Sequence, residues 1–269
     1  MTARGGRLLI GLALLSALAL ALTYVVALHT AWGVYHDRVL FEGVSGYVSL
    51  PVRAAGERAL RTIDIGSILV VLAVLVFAVT RGRFARAGAA LGMIGCSIGT
   101  TELLKHGLPH VGGIPAGRLP TFPSGNASLA VALGLGLVLA VPPVVRVTAA
   151  LVGAAYGAGI ALSVVVLGWH YPSDVVASFF VCGFWASLFA RLLHAEPRRR
   201  RLSLSSALMA VAATSISLLV AIVVAERHRA AVESIGTRRA IVETAALLAV
   251  LSLVLFAVAT LLVEEREVA

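Results

Sequence analysis

Three polar islands interrupt a chain written mostly in Ala, Val and Leu: Gly168-Trp169-His170-Tyr171-Pro172-Ser173-Asp174, Phe122-Pro123-Ser124-Gly125-Asn126, and Lys105 beside Glu102 and His106. His170 precedes Asp174 by four residues, which on the first turn of a helix sets both side chains on one face. A carboxylate so placed can hold one imidazole nitrogen in its protonated form and leave the other free as a nucleophile. The same residues have a plainer use, with Ser173 or Asp174 capping a helix and Trp169 and Tyr171 lying at a membrane interface. Pro123-Ser124-Gly125 stands where an apolar run begins, so free N–H groups and the helix dipole there would attract an anion. Simple capping by Ser124 or Asn126 would leave the same trace. Lys105 can neutralise an anion or snorkel from a helix end to the membrane surface.

These islands are positioned by long apolar segments. The 269 residues are 59% hydrophobic and 13% charged, against roughly 25% charged in an average soluble domain. Several runs approach the ~20 residues that cross a ~30 Å hydrocarbon core. An all-α polytopic membrane bundle is expected, since the short alternating segments of a membrane β-barrel are absent. Eight spans are expected, at about residues 7–29, 65–80, 86–104, 127–145, 148–168, 174–193, 204–225 and 241–263. The first is longer than the core of a cleaved signal peptide and reads as a retained anchor. Cys96 and Cys182 fall inside apolar runs and read as buried small side chains. The net charge of +9 belongs to loops that set topology or meet anionic lipid, and no nucleic-acid partner is expected.

Arg4 and Arg7, the group Arg81, Arg83 and Arg86, Arg146, and Arg198 to Arg201 fall in short connections on one side, which the positive-inside rule makes cytoplasmic. Both termini then lie inside, and Lys105, Ser124, His170 and Asp174 all emerge on the outer face of the cell membrane. Residues 31–64 are too polar to span. Within them 51–63 has near-helical apolar spacing, as an interfacial amphipathic helix over the outer mouth or as a solvated loop. Pro197 and the following arginines mark the best boundary, between a unit at 1–195 and a basic loop with a terminal helix pair at 196–269.

Taken together, Lys105, then Pro123-Ser124-Gly125-Asn126, then Ser163-Val164 followed by His170 and Asp174 resemble the motifs of the phosphatidic acid phosphatase type 2 / haloperoxidase superfamily. Those motifs read Lys-x6-Arg-Pro, Pro-Ser-Gly-His and Ser-Arg-x5-His-x3-Asp. Order, intervals and placement at successive helix ends agree, over about residues 1–195. The resemblance implies a six-helix core and a metal-independent lipid phosphatase, without cofactor, acting on a phosphomonoester or pyrophosphate. It makes His170 the attacking group that becomes a phosphohistidine and Asp174 its orienter. Lys105, Ser124, Gly125 and the neighbouring Asn126 would lie around the phosphoryl oxygens. There are three departures from the pattern: Gly112-Gly113 replace Arg-Pro, Asn126 replaces the general-acid His, and Val164 replaces Arg. Two lost guanidiniums remove bidentate phosphate contacts, and a missing general acid costs about 10²–10⁴-fold in rate. Arg118, in Arg118-Leu119-Pro120, is the neighbour suited to restore a phosphate contact, and His106 or His110 to supply an acid. The alternative class is a catalytically impaired relative that binds lipid phosphate or a membrane partner; lipid translocation is a third.

Overall fold

The computed structural model describes residues 3–46, 48–108 and 122–193, together with Thr244, Ala246, Leu248, Val250, Leu251, Ser252 and Leu255. Seven α-helices and no strand occur among them: α1 Ala3–His29, α2 Ala31–Ser45, α3 Leu50–Arg81, α4 Phe84–Gly107, α5 Gly125–Ala140, α6 Pro143–Val166 and α7 Pro172–Leu193. All except α2 and α5 are long and apolar enough to cross a bilayer. The all-α class read from composition is therefore the class observed.

The short helix organises the bundle. At 16 residues α5 is about 24 Å long, less than a hydrocarbon core. Helices α3, α4, α6 and α7 pack around it, and buried residues occupy every side of it from Ala127 to Ala140. A helix apolar all round belongs in such a place. Small residues admit its neighbours closely, as membrane bundles require when lipid tails are as apolar as the helices themselves. A Cβ added at Gly136 would meet Ile94 Cδ1 at 2.6 Å.

Both ends of α5 are finished by polar groups. Ser124 is its N-cap. At the other end Arg86 Nη1 donates to the Leu139 carbonyl at 3.2 Å and Arg146 Nη2 to that of Val141 at 3.2 Å. Guanidiniums beside C-terminal carbonyls suit the negative end of the helix dipole. Arg146 was expected in a turn between spans ending at 145 and starting at 148, but it lies in the first turn of α6 and is 1% exposed. The cause is Pro142-Pro143. A residue before proline is driven out of helical geometry, so Val141 and Pro142 are extended and Pro143 opens α6.

A second correction concerns 51–63. These residues are no separate interfacial element, because α3 runs unbroken from Leu50 to Arg81. Pro51 lies in its first turn, where proline is tolerated, and the helix that crosses the membrane simply extends through Arg53, Glu57, Arg58 and Arg61. The helix that packs on this end of the bundle, against α1, α6 and α7, is α2. Thr30 Oγ1 caps its start, accepting from Gly33 N at 3.0 Å, and Arg53 Nη2 donates to the Ser45 carbonyl near its end at 3.0 Å. No Cβ fits at Gly33, which lies against the Val26 carbonyl of α1.

The span expected at 204–225 lies outside the described residues. The described residues of the span at 241–263 are helical; Leu248 is buried and Ser252 Oγ donates to the Ala154 carbonyl of α6 at 2.7 Å.

Overpacking a close helix contact costs about 1–3 kcal/mol. Gly136→Leu should therefore lower the thermal midpoint in detergent. Gly88→Leu in α4, where an added Cβ meets nothing within 4 Å, should not. Equal midpoints for the two variants would contradict the α4–α5 packing.

Candidate active site

His170 is delivered by the way α6 ends. Gly168 has a φ of +71°, the left-handed conformation that commonly follows a helix C-terminus and that glycine adopts without strain. The N–H groups of Trp169 and His170 then turn back to one acceptor, the Val164 carbonyl, at 3.0 and 3.3 Å. Val164, at the position of a motif arginine, has its side chain wholly buried in the core. Trp169 is exposed, as an interfacial aromatic would be, whereas Tyr171 stacks on Phe41 of α2 with ring centroids 4.5 Å apart.

Asp174 is the third residue of α7, after Pro172 at the first position, where proline's missing N–H is no loss. Its Oδ2 accepts from His170 Nδ1 at 3.2 Å and from Tyr171 N at 3.0 Å. The second bond is the reach of a third-position side chain back to the cap N–H. The pair is largely enclosed, with side chains 13% and 4% exposed. A carboxylate only accepts, so the bond puts a proton on Nδ1 and leaves the Nε2 lone pair free.

The second island is fastened to the first. Ser124 N donates to the Asp174 carbonyl at 3.0 Å, and Ser178 Oγ donates to the Ser124 carbonyl at 2.8 Å. Ser124 is fully buried and its Oγ accepts from Ala127 N at 3.4 Å. The hydroxyl thus serves as the helix cap and keeps its own proton to donate. Gly125 and Asn126, both half-buried, form the first turn of α5.

Lys105 comes from the last turn of α4. A Cβ on Gly125 would lie 2.7 Å from its Nζ, so the ammonium occupies the place that any larger residue would take. It also pairs with Glu102 Oε1 at 2.8 Å, a bond between a 19% exposed and a 49% exposed side chain. A pair this open contributes little to stability, but it means that an incoming anion shares the ammonium with a carboxylate. His106 is exposed, with Nε2 3.9 Å from Glu102 Oε2. Arg118, His110 and Gly112-Gly113 lie outside the described residues.

The fold therefore gathers Lys105, Ser124, Gly125, His170 and Asp174 at one end of the bundle, linked by direct contacts, with Asn126 next in the first turn of α5. Sequence reasoning missed Asp37 on α2. Its Oδ1 and Oδ2 accept from Ser173 N at 3.0 Å and Ser173 Oγ at 2.6 Å. Burial, with the nearby Asp174 charge adding to it, pushes the Asp37 carboxyl up to about 6. The available signal was helical spacing: Gly33, Asp37, Phe41 and Val44 fall on one face, which puts an acid in an otherwise apolar row. No group of three or more metal-binding side chains is placed together among the described residues.

The family model of the PAP2 superfamily matches residues 98–198, from within α4 to just beyond α7, including every site residue just described except Asp37. Over these residues the chain is similar to the PAP2 superfamily, and five of its helices are long and apolar enough to cross a membrane. No curated protein and no solved structure matches the chain.

The raised Asp37 carboxyl has a consequence for stability. Folded, it keeps its proton up to about 6, against an ordinary value of 3.8. Between those values the folded state binds more protons than the unfolded, so stability contributed by Asp37 falls as pH rises through that window. The thermal midpoint of the wild type minus that of Asp37→Asn should decline from pH 3.8 to about 6 and level off above. A difference that stays flat across the window would contradict it.

Proposed function

We propose that the protein is an integral membrane lipid phosphatase that hydrolyses a phosphomonoester or pyrophosphate through a phosphohistidine. The observation that carries this reading is the His170–Asp174 pair, joined through the Asp174 carbonyl to the Ser124-Gly125 start of α5 and so to Lys105. His170 Nε2 attacks phosphorus and the bond to the leaving oxygen breaks. Asp174 holds the Nδ1 proton and stabilises the charge that builds on the ring. Lys105 and the N-terminus of α5 stabilise the equatorial oxygens, the positioning and charge compensation on which phosphoryl transfer mainly depends. Water then cleaves the phosphorus–nitrogen bond and releases inorganic phosphate.

A lipid is the fitting substrate because the site lies at the ends of membrane-crossing helices, where a head group is presented. The short arginine-rich connections favour the outer face of the cell membrane, with the termini inside. Asn126 cannot protonate a leaving alkoxide, which favours a leaving group of low pKa such as the phosphate expelled from a pyrophosphate. Arg118 is retained as a further phosphate contact in this reading.

Two observations favour the alternative, a relative that binds lipid phosphate without turning it over: Lys105 is already paired with Glu102 and no motif acid stands at 126. Phosphate release from lipid monophosphates and diphosphates by the purified protein separates the two. Release should vanish in His170→Ala, and Asn126→His should raise turnover of monoesters by about 10²-fold or more while leaving diphosphates little changed. Release that persists in His170→Ala would sink the enzyme reading, and binding without release would establish the alternative.

A further inference from the structure

Asp37 lies on α2, outside the stretch that the family model matches. Both oxygens of its carboxylate are committed to a single residue, Ser173, one to the N–H and one to the hydroxyl. Ser173 directly precedes Asp174. Two bonds from one rigid carboxylate fix the first turn of α7 in two directions, its rotation about the helix axis and its distance from α2. The anchor is itself held: Phe41 stacks on Tyr171, Arg53 closes the end of α2, and a Cβ at Gly168 would meet Ser45 Cβ at 3.4 Å. Helix α2 thus grips both sides of His170, at Gly168 before it and at Tyr171 and Ser173 after it.

A carboxylate is an expensive choice for a mere cap here. Burial and the neighbouring Asp174 both oppose its ionisation, whereas Ser or Asn would cap the helix without a second buried charge. What Asp supplies beyond them is a pair of acceptors.

We propose that Asp37 is a positioning residue for the His170–Asp174 pair: by holding Ser173 at two points it sets the turn from which the Asp174 carboxylate reaches Nδ1 of His170. The inference rests on His170 as nucleophile, and displacements of about 1 Å in such a pair cost up to about 10²-fold in rate.

The test compares wild type, Asp37→Ala, Asp37→Asn, Ser173→Ala and the double variant Asp37→Ala/Ser173→Ala in two measurements. One is kcat and KM for phosphate release. The other is the rate at which diethyl pyrocarbonate modifies His170, followed by peptide mass spectrometry, which reads ring nucleophilicity without turnover. Asp37→Ala should lower kcat by about 10- to 10²-fold at unchanged KM and slow modification of His170. Asp37→Asn, which keeps one acceptor, should recover part of both, and Ser173→Ala should lose part. The double variant should be no worse than Asp37→Ala, since the two residues act as a unit. Wild-type kcat and wild-type modification of His170 in Asp37→Ala would overturn the proposal, even if its thermal midpoint falls. Should Asp37→Ala not fold, wild-type values in both Asp37→Asn and Ser173→Ala would overturn it equally. If the wild type releases no phosphate from any lipid, the enzymatic reading fails, and His170 modification alone decides the positioning.

Discussion

Asp174 is bonded through its carboxylate and through its backbone carbonyl at once, and the candidate-site end of the bundle depends on that double use. The carboxylate takes the His170 imidazole and the Tyr171 N–H; the carbonyl takes the Ser124 N–H. The exit of α6, the start of α5 and the start of α7 are thereby tied at one residue. Because Asp174 is buried, each of these groups would be left unsatisfied in an apolar setting if the junction opened, at about 1–3 kcal/mol apiece. The chemistry and the fold share these bonds, so the pair cannot drift without loosening the entrance to the central helix.

The rest of the bundle serves to keep that junction in register with Lys105. Thr101 Oγ1 donates to Ser128 Oγ at 2.8 Å and Trp185 Nε1 to Thr100 Oγ1 at 2.9 Å, linking α4 to α5 and to α7. Cys182, fully buried, lies 3.4 Å from the Ser128 carbonyl through its sulfur, the small buried role expected of it. Around this ring of polar ties, α1 and α3 present largely exposed apolar faces, Leu14, Leu15 and Leu18 on one and Ile68, Leu69 and Leu72 on the other. Those faces suit lipid tails.

How much could be read from the residues varied with the physics involved. Hydropathy located the five helices long enough to cross a bilayer and the shorter apolar α5, because burying backbone in lipid leaves the chain little choice but apolar helices. The spacing His-x3-Asp and the Ser-Gly at a helix start pointed to one site. The same-face pairing expected on a helical turn, however, is not how His170 meets Asp174: His170 precedes α7, and the Asp174 carboxylate reaches back past the helix start to it. Three features were not legible. The Pro142-Pro143 break shifted a boundary by several residues and turned Arg146 inward, since where an arginine of a short connection points depends on which helix end needs it. The continuity of α3 through 51–63 depended on what it packs against, not on its own polar spacing. Asp37 contacts Ser173 across 136 residues, about half of the chain, and no local pattern encodes a pairing at that separation. The Lys105–Glu102 pair was available at i,i+3 spacing, yet its meaning came only with Gly125 beside it.

The central claim is that His170 forms a bond to phosphorus. Brief incubation of the purified protein with a lipid diphosphate labelled in its terminal phosphate, alkaline denaturation and peptide mapping would measure it directly. The predicted result is an acid-labile, base-stable phosphoryl group on the peptide carrying His170, absent from His170→Ala and accumulating more slowly in Asp174→Asn. Turnover of the same substrate with no phosphoryl group on that peptide at any time would contradict the account.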